Sequence, residues 1–170
     1  QVKDGAVLAT FSGSHTDLSS PSLSGEHLAH FKAYRFRVHQ TFPQQESRFL
    51  LPPSGDNLLS LLLANKELAS DVGELFSPRG LRVRLRPHEG KIEVEKSWEQ
   101  PVVVAFPYSL TAETFQRVVF YLAAILTNKD SVLAFEEPES HSFPYYTKYL
   151  AAMIALDKGN NQYFITTHNP

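Results

Sequence analysis

Two adjacent carboxylates, Glu136 and Glu137, end the apolar run Val132-Leu133-Ala134-Phe135, and of all residues in this sequence they are best placed to do chemistry. Acids at the end of a buried strand are costly unless a cation or a proton transfer uses them. Glu139 and His141 follow in the same turn, and Thr166-Thr167-His168 closes a second short apolar run, Tyr163-Phe164-Ile165. Such a set suits two chemistries. In one, the paired acids at the strand end serve a cation or a proton transfer at a ligand site. In the other, Glu136, Glu137, Glu139, His141 and His168 ligate a hydrolytic metal directly. The plain alternative is an exposed acidic turn after a strand.

The elements around these residues follow from pattern. Val132 to Phe135 is apolar without alternation and bounded by Asn128-Lys129-Asp130 and Pro138, which predicts a short buried strand. Pro101 to Phe106 reads the same way. Between them Ala112 to about Leu126 is apolar on most faces, a buried helix that Thr111 can cap and whose positive first turn suits Glu113. Pro144 opens a second helix to about Asp157, stopped by Gly159-Asn160-Asn161, before the strand Tyr163 to Ile165. Strand, helix, strand, helix, strand predicts right-handed parallel crossovers, which bring Glu136, Glu137 and His168 to one sheet edge. Ligands bind at the carboxyl ends of such strands.

Upstream, Val7 to Phe11 reads as a strand, Ser12 to Ser24 as a loop, and Ser24-Gly25-Glu26 as the opening of a short helix. Tyr34, Phe36 and Val38 alternate with Arg35, Arg37 and His39 as in a half-buried strand with a wet face. After the turn cluster Pro52 to Asn57, Leu58 to Leu68 predicts a helix with Asn57 as its N-cap, and the span from Gly73 to Gly80 breaks the pattern. Leu81, Val83 and Leu85 alternate with Arg82, Arg84 and Arg86, and Ile92 and Val94 alternate with Lys91, Glu93 and Glu95. This is a hairpin, and its four-residue loop puts Arg84 opposite Glu93 and Arg82 opposite Glu95. Those pairs neutralise most of an arginine stripe that would otherwise suit nucleic acid, so a nucleic-acid partner is possible but unsupported here.

The 170 residues suffice for one domain with a core, and a net charge of −2 with 42% apolar residues gives no global pull toward nucleic acid or membrane. Without cysteine there is neither a disulfide nor a thiolate metal site, which fits a reducing, cytoplasmic setting. The longest apolar run, Val118 to Leu126, is far short of the roughly 20 residues of a membrane helix. A chain that opens on Gln1 and stops at Pro170, directly after a strand, reads as part of a longer polypeptide.

From about Phe106 to Pro170 the sequence resembles the ATP-binding-cassette-like branch of P-loop ATPases that includes the SMC, RecF and OLD-type proteins, often grouped as AAA-family ATPases. Val132 to Glu139 looks like the Walker B strand with its Glu-Pro, Thr166 to Pro170 like the switch-histidine loop, and Leu110 to Thr114, ahead of Arg117, like the signature loop. Leu50 to Leu58 resembles, less specifically, a segment near the family's helical insertion. The resemblance implies an α/β, P-loop NTPase-like lobe: a largely parallel sheet flanked by helices, with an upstream hairpin and helical insertion. Residues 1–100 would be the insertion region and 101–170 the Walker B and switch-histidine core, within one fold. It further implies Mg²⁺ and ATP as cofactors, Glu136 at the metal, Glu137 and His168 as catalytic residues, and Ser109, Thr111, Ala112 and Glu113 facing nucleotide held by a homodimer mate or partner ATPase subunit. The first acid is Glu136 where Asp is usual, the signature-like stretch lacks a glycine pair, and no Gly-x-x-x-x-Gly-Lys-[Ser/Thr] occurs anywhere. The phosphate loop is thus expected upstream of Gln1, and a non-catalytic interaction or regulatory half-domain is the rival reading.

Overall fold

The computed structural model describes residues 30–97 and 102–168; the readings made for Val7 to Phe11, Ser12 to Ser24 and the segment after it lie outside these residues, as do Asn169 and Pro170. The chain is mixed α/β. A parallel sheet is formed by β1 (Phe31–Tyr34), β5 (Val132–Glu136) and β6 (Gln162–Thr166), with β5 in the middle. An antiparallel sheet is formed by β2 (Leu81–Arg86), β3 (Lys91–Ser97) and β4 (Val103–Pro107), with β3 in the middle. The helices are α1 (Leu58–Ala64), α2 (Lys66–Phe76), α3 (Glu113–Thr127) and α4 (Pro144–Ala155). None is long and apolar enough to cross a membrane among the described residues.

Helix α3 is the hub because its sequence is apolar nearly all round, and ten of its fifteen residues are buried. Its Phe120 and Tyr121 meet Tyr34, Phe36 and Phe135 edge-on or tilted, with ring centroids 4.9–6.0 Å apart. One apolar cluster runs from there through Leu50 and the leucines of α1 to Ile92 and Val94 of the hairpin. Both sheets therefore share a core, and their ladders draw strands from both sides of residue 100.

Several expectations need correction. Pro101 to Phe106 is no neighbour of β5: its strand, β4, pairs antiparallel with β3, and Val103 and Val104 are exposed. An apolar run carries no label for which sheet it joins. The place beside β5 goes instead to β1, with Tyr34 opposite Phe135, so only the β5-α4-β6 unit is a parallel crossover of the kind expected. The strand expected through Val38 stops at Tyr34 because the next amide, Arg35 N–H, donates to Pro53 O at 2.9 Å; Val38 is exposed.

The leucine-rich helix is two helices, divided at Asn65, whose Oδ1 accepts from Leu68 N–H at 3.0 Å and caps α2. Gly73 lies inside α2 and does not break it. Asn57 stands at the N-cap position of α1 but makes no side-chain cap. It is fully buried and ties the preceding loop instead, accepting from Leu51 N–H at 2.8 Å and donating to Phe49 O at 3.0 Å.

Candidate functional site at the carboxyl edge of the parallel sheet

The site is built where β1, β5 and β6 end side by side. Glu136 is the last residue of β5 and lies opposite Thr166 of β6, while its carbonyl accepts the Tyr121 hydroxyl of α3 at 2.9 Å. Burial pushes the Tyr121 phenol up to about 12, with Arg117 opposing the shift, so this hydroxyl stays a donor at neutral pH. Glu137 then leaves the strand in the left-handed region, at φ 41, a costly conformation for a long side chain. It is held there by its N–H, which lies 3.1 Å from Thr166 O and 3.2 Å from Thr166 Oγ1.

The two acids face different partners. The Glu136 carboxylate lies 3.3 Å from Arg35 Nε, at the end of β1. The Glu137 carboxylate accepts the Ser140 hydroxyl at 2.9 Å through one oxygen, and meets His168 Nε2 at 2.8 Å through the other. Glu136, Glu137 and His168 do converge on one edge, as the crossover argument expected. Glu139 accepts a hydrogen bond from the Thr167 hydroxyl, and His141, at φ 57, gives its carbonyl to Thr114 Oγ1 at 2.8 Å.

The five-residue metal site expected as an alternative does not form. Among the described residues no three histidines or carboxylates are grouped to hold a metal ion, because the turn after β5 spreads Glu136, Glu137, Glu139 and His141 onto separate partners.

The contact from Thr114 to His141 places the first turn of α3 beside this loop. Thr111 does not cap that helix, contrary to expectation: Ala112 occupies the N-cap position without a side-chain acceptor. Thr111 comes one residue too early, and its hydroxyl closes the preceding turn by donating to Tyr108 O at 2.7 Å. The carbonyls of Ser109 and Thr111 both accept from Gln116 Nε2, at 3.3 and 2.9 Å, so the signature-like stretch is tied down from inside the helix. Glu113 pairs with Arg117, one turn on, at 2.8 Å.

Two site residues were not singled out by the sequence reasoning. Ser140 could have been found from its spacing, three residues after Glu137 in the turn. Arg35 had only the signal of a charged residue next to a buried tyrosine, and alternation assigned it to a wet face. No protein-family model matches the chain, and neither does any curated protein or solved structure.

Proposed function

We propose that this chain is the Walker B and switch-histidine portion of an ATPase core of the ATP-binding-cassette-like type, contributing to Mg·ATP hydrolysis in the complete protein. The observation that carries the reading is the 2.8 Å contact of Glu137 with His168 on neighbouring parallel strand ends, with Glu136 beside them turned toward another partner. Mg²⁺ binds through one or two carboxylates plus phosphates and keeps several waters, so the half-exposed Glu136 carboxylate fits that ion without a cluster of protein ligands. When bound, Mg²⁺ neutralises charge on the β- and γ-phosphates. Glu136 holds the cation's side of the site. Glu137, fixed by Ser140, accepts a hydrogen bond from water and orients it, and His168 lies where it can respond to a terminal phosphate. The stretch from Ser109 to Glu113, which leads into α3, faces nucleotide of a partner subunit; Leu110 within it is exposed and suits such a contact.

The test uses the protein with its phosphate loop. Glu137→Gln keeps shape and hydrogen bonding but removes the carboxylate, so ATP and Mg²⁺ still bind while hydrolysis falls about 10²-fold or more. Glu136→Gln weakens Mg²⁺ dependence and nucleotide affinity together, and His168→Ala slows turnover with a smaller effect on binding. Hydrolysis by Glu137→Gln at near the parental rate would remove the water-orienting role.

One observation favours the non-catalytic reading for the 170 residues taken alone: no Gly-x-x-x-x-Gly-Lys-[Ser/Thr] occurs, so the backbone cradle for the triphosphate is missing. These residues by themselves should show no micromolar Mg·ATP affinity and no turnover. Calorimetric titration with a micromolar dissociation constant would contradict this.

A further inference from the structure

We propose that Arg35 is a further residue of this site, the exchangeable counter-ion of Glu136, holding the carboxylate until a divalent cation displaces it. The inference rests on Glu136 being the cation ligand. The pair is set by the sheet rather than by a chance meeting of two long side chains. Parallel register puts Tyr34, the last residue of β1, opposite Phe135, and the residues that follow them in sequence are Arg35, just past the strand end, and Glu136, the last of β5. The backbone is pinned on both sides, by Arg35 N–H to Pro53 O and by the Tyr121 hydroxyl to Glu136 O, each at 2.9 Å.

The strength of the contact suits exchange. The pair is recorded between Nε and the carboxylate at 3.3 Å, and the side chains are 76% and 47% exposed. Exposed pairs of this kind are weak enough for a doubly charged ion to open. The neighbouring acid is held otherwise: Glu137 has the Ser140 hydroxyl and His168 in place and, among the described residues, no arginine or lysine ion pair. Of the two acids, Glu136 is therefore the one whose counter-charge can be swapped for a metal without dismantling the turn.

Mn²⁺ serves as the probe, because its paramagnetic broadening of the Glu136 and Glu137 amide signals reports binding at this edge with no nucleotide or turnover needed. The 170-residue chain is titrated alongside Arg35→Gln, Arg35→Lys and Glu136→Gln. Arg35→Gln should bind Mn²⁺ about two- to fivefold more tightly than the parent, the range an exposed ion pair can supply. Arg35→Lys should stay near the parent, since the competing charge remains. Glu136→Gln should lose the selective broadening. If broadening depends on Glu136 but Arg35→Gln leaves the affinity unchanged, the exchange role is wrong while the cation role of Glu136 stands. If no variant broadens, no cation displaces Arg35 at this edge and the exchange role is wrong, with the phosphate-assisted cation role of Glu136 untouched; if Glu136→Gln broadens like the parent, both are overturned.

Discussion

The two sheets handle charge at their strands in opposite ways. In the antiparallel sheet the charged residues belong to one hairpin and most of them pair with each other. Arg84 pairs with Glu95, Arg86 with Glu93 at 2.7 Å and with Glu89 at 3.2 Å, and Lys91 with Glu89 at 3.3 Å. In the parallel sheet the acids close β5, and their partners come from the ends of β1 and β6 or from the turn. A hairpin fixes its own charge pattern and leaves little for a ligand. A parallel edge assembles charge from distant segments, and one of those partners is an exposed arginine. This difference is why the arginine stripe, the more conspicuous feature in sequence, reads as structure, and the acidic turn reads as a site.

The sharpest way to strain the comparison is through the core beneath each sheet. Phe135 is buried in β5 with Tyr34, Tyr121 and Tyr163 around it, so Phe135→Ala should cost about 3–5 kcal/mol in urea denaturation. Val94, equally buried in β3, is smaller, and Val94→Ala should cost about 2 kcal/mol. Equal losses would mean that the hairpin sheet is as deep a part of the fold as the parallel one. Asn57→Ala tests the loop before α1, since it strands the half-buried Leu51 N–H and Phe49 O; at about 1–3 kcal/mol for each lost partner, with half-burial favouring the lower part of that range, a total near 2–4 kcal/mol is expected. A loss no larger than that of an exposed asparagine would show that water reaches both groups.

Alkaline pH is the next probe of the parallel sheet. Burial pushes Tyr34 and Tyr121, both against the parallel sheet, up to about 12 from the ordinary 10. A raised tyrosine pKa means that the unfolded chain releases its proton first. The stability from the neutral phenols is therefore complete below pH 10 and is lost as pH rises from 10 toward 12. Unfolding free energy measured across that window should fall, and Tyr34→Phe, although weaker at neutral pH for want of its bonds to Leu50 O and Asn128, should fall less steeply. Parallel curves for the parent and Tyr34→Phe would show that Tyr34 titrates normally.

What could be read in advance divides along the same line. The hairpin was legible to the residue, because period-two alternation and a four-residue loop are local signals: Arg84 faces Glu93 and Arg82 faces Glu95 as expected. Even so, the ion pairs run diagonally, to the acid two residues along, because long side chains reach past the directly opposite position. The strands β5 and β6, the helices α3 and α4, and the meeting of Glu136, Glu137 and His168 were legible from apolar runs and crossover handedness. The partner of β5 was not. Phe31 to Tyr34 is only four residues, and parallel pairing between distant segments leaves no mark in either one. Arg35 was lost with it, since its role depends on what lies beside the strand. The division of the leucine-rich helix turned on a single capping residue, Asn65, inside an apolar run that suits either one helix or two.

The smallest expected effect tests the hairpin itself. If its charge is satisfied internally, replacing Arg82, Arg84 and Arg86 together with Gln removes ion pairs at the surface that are at most partly buried, and such pairs contribute little. The unfolding midpoint should move less than it does for Asn57→Ala. Arg82 is the exception that makes the test informative, because register places it opposite Glu95, yet Glu95 is taken by Arg84. One arginine on this face without an ion pair among the described residues is too little for a phosphate grip, so any DNA affinity of the complete protein should be nearly unchanged in the triple variant. Were the stripe the contact, losing three cations would flatten the dependence of log affinity on log salt by about 3 units. Titration at several salt concentrations distinguishes the two, and a flattened slope with a large drop in affinity would make the hairpin, rather than the parallel edge, the surface that meets a charged partner.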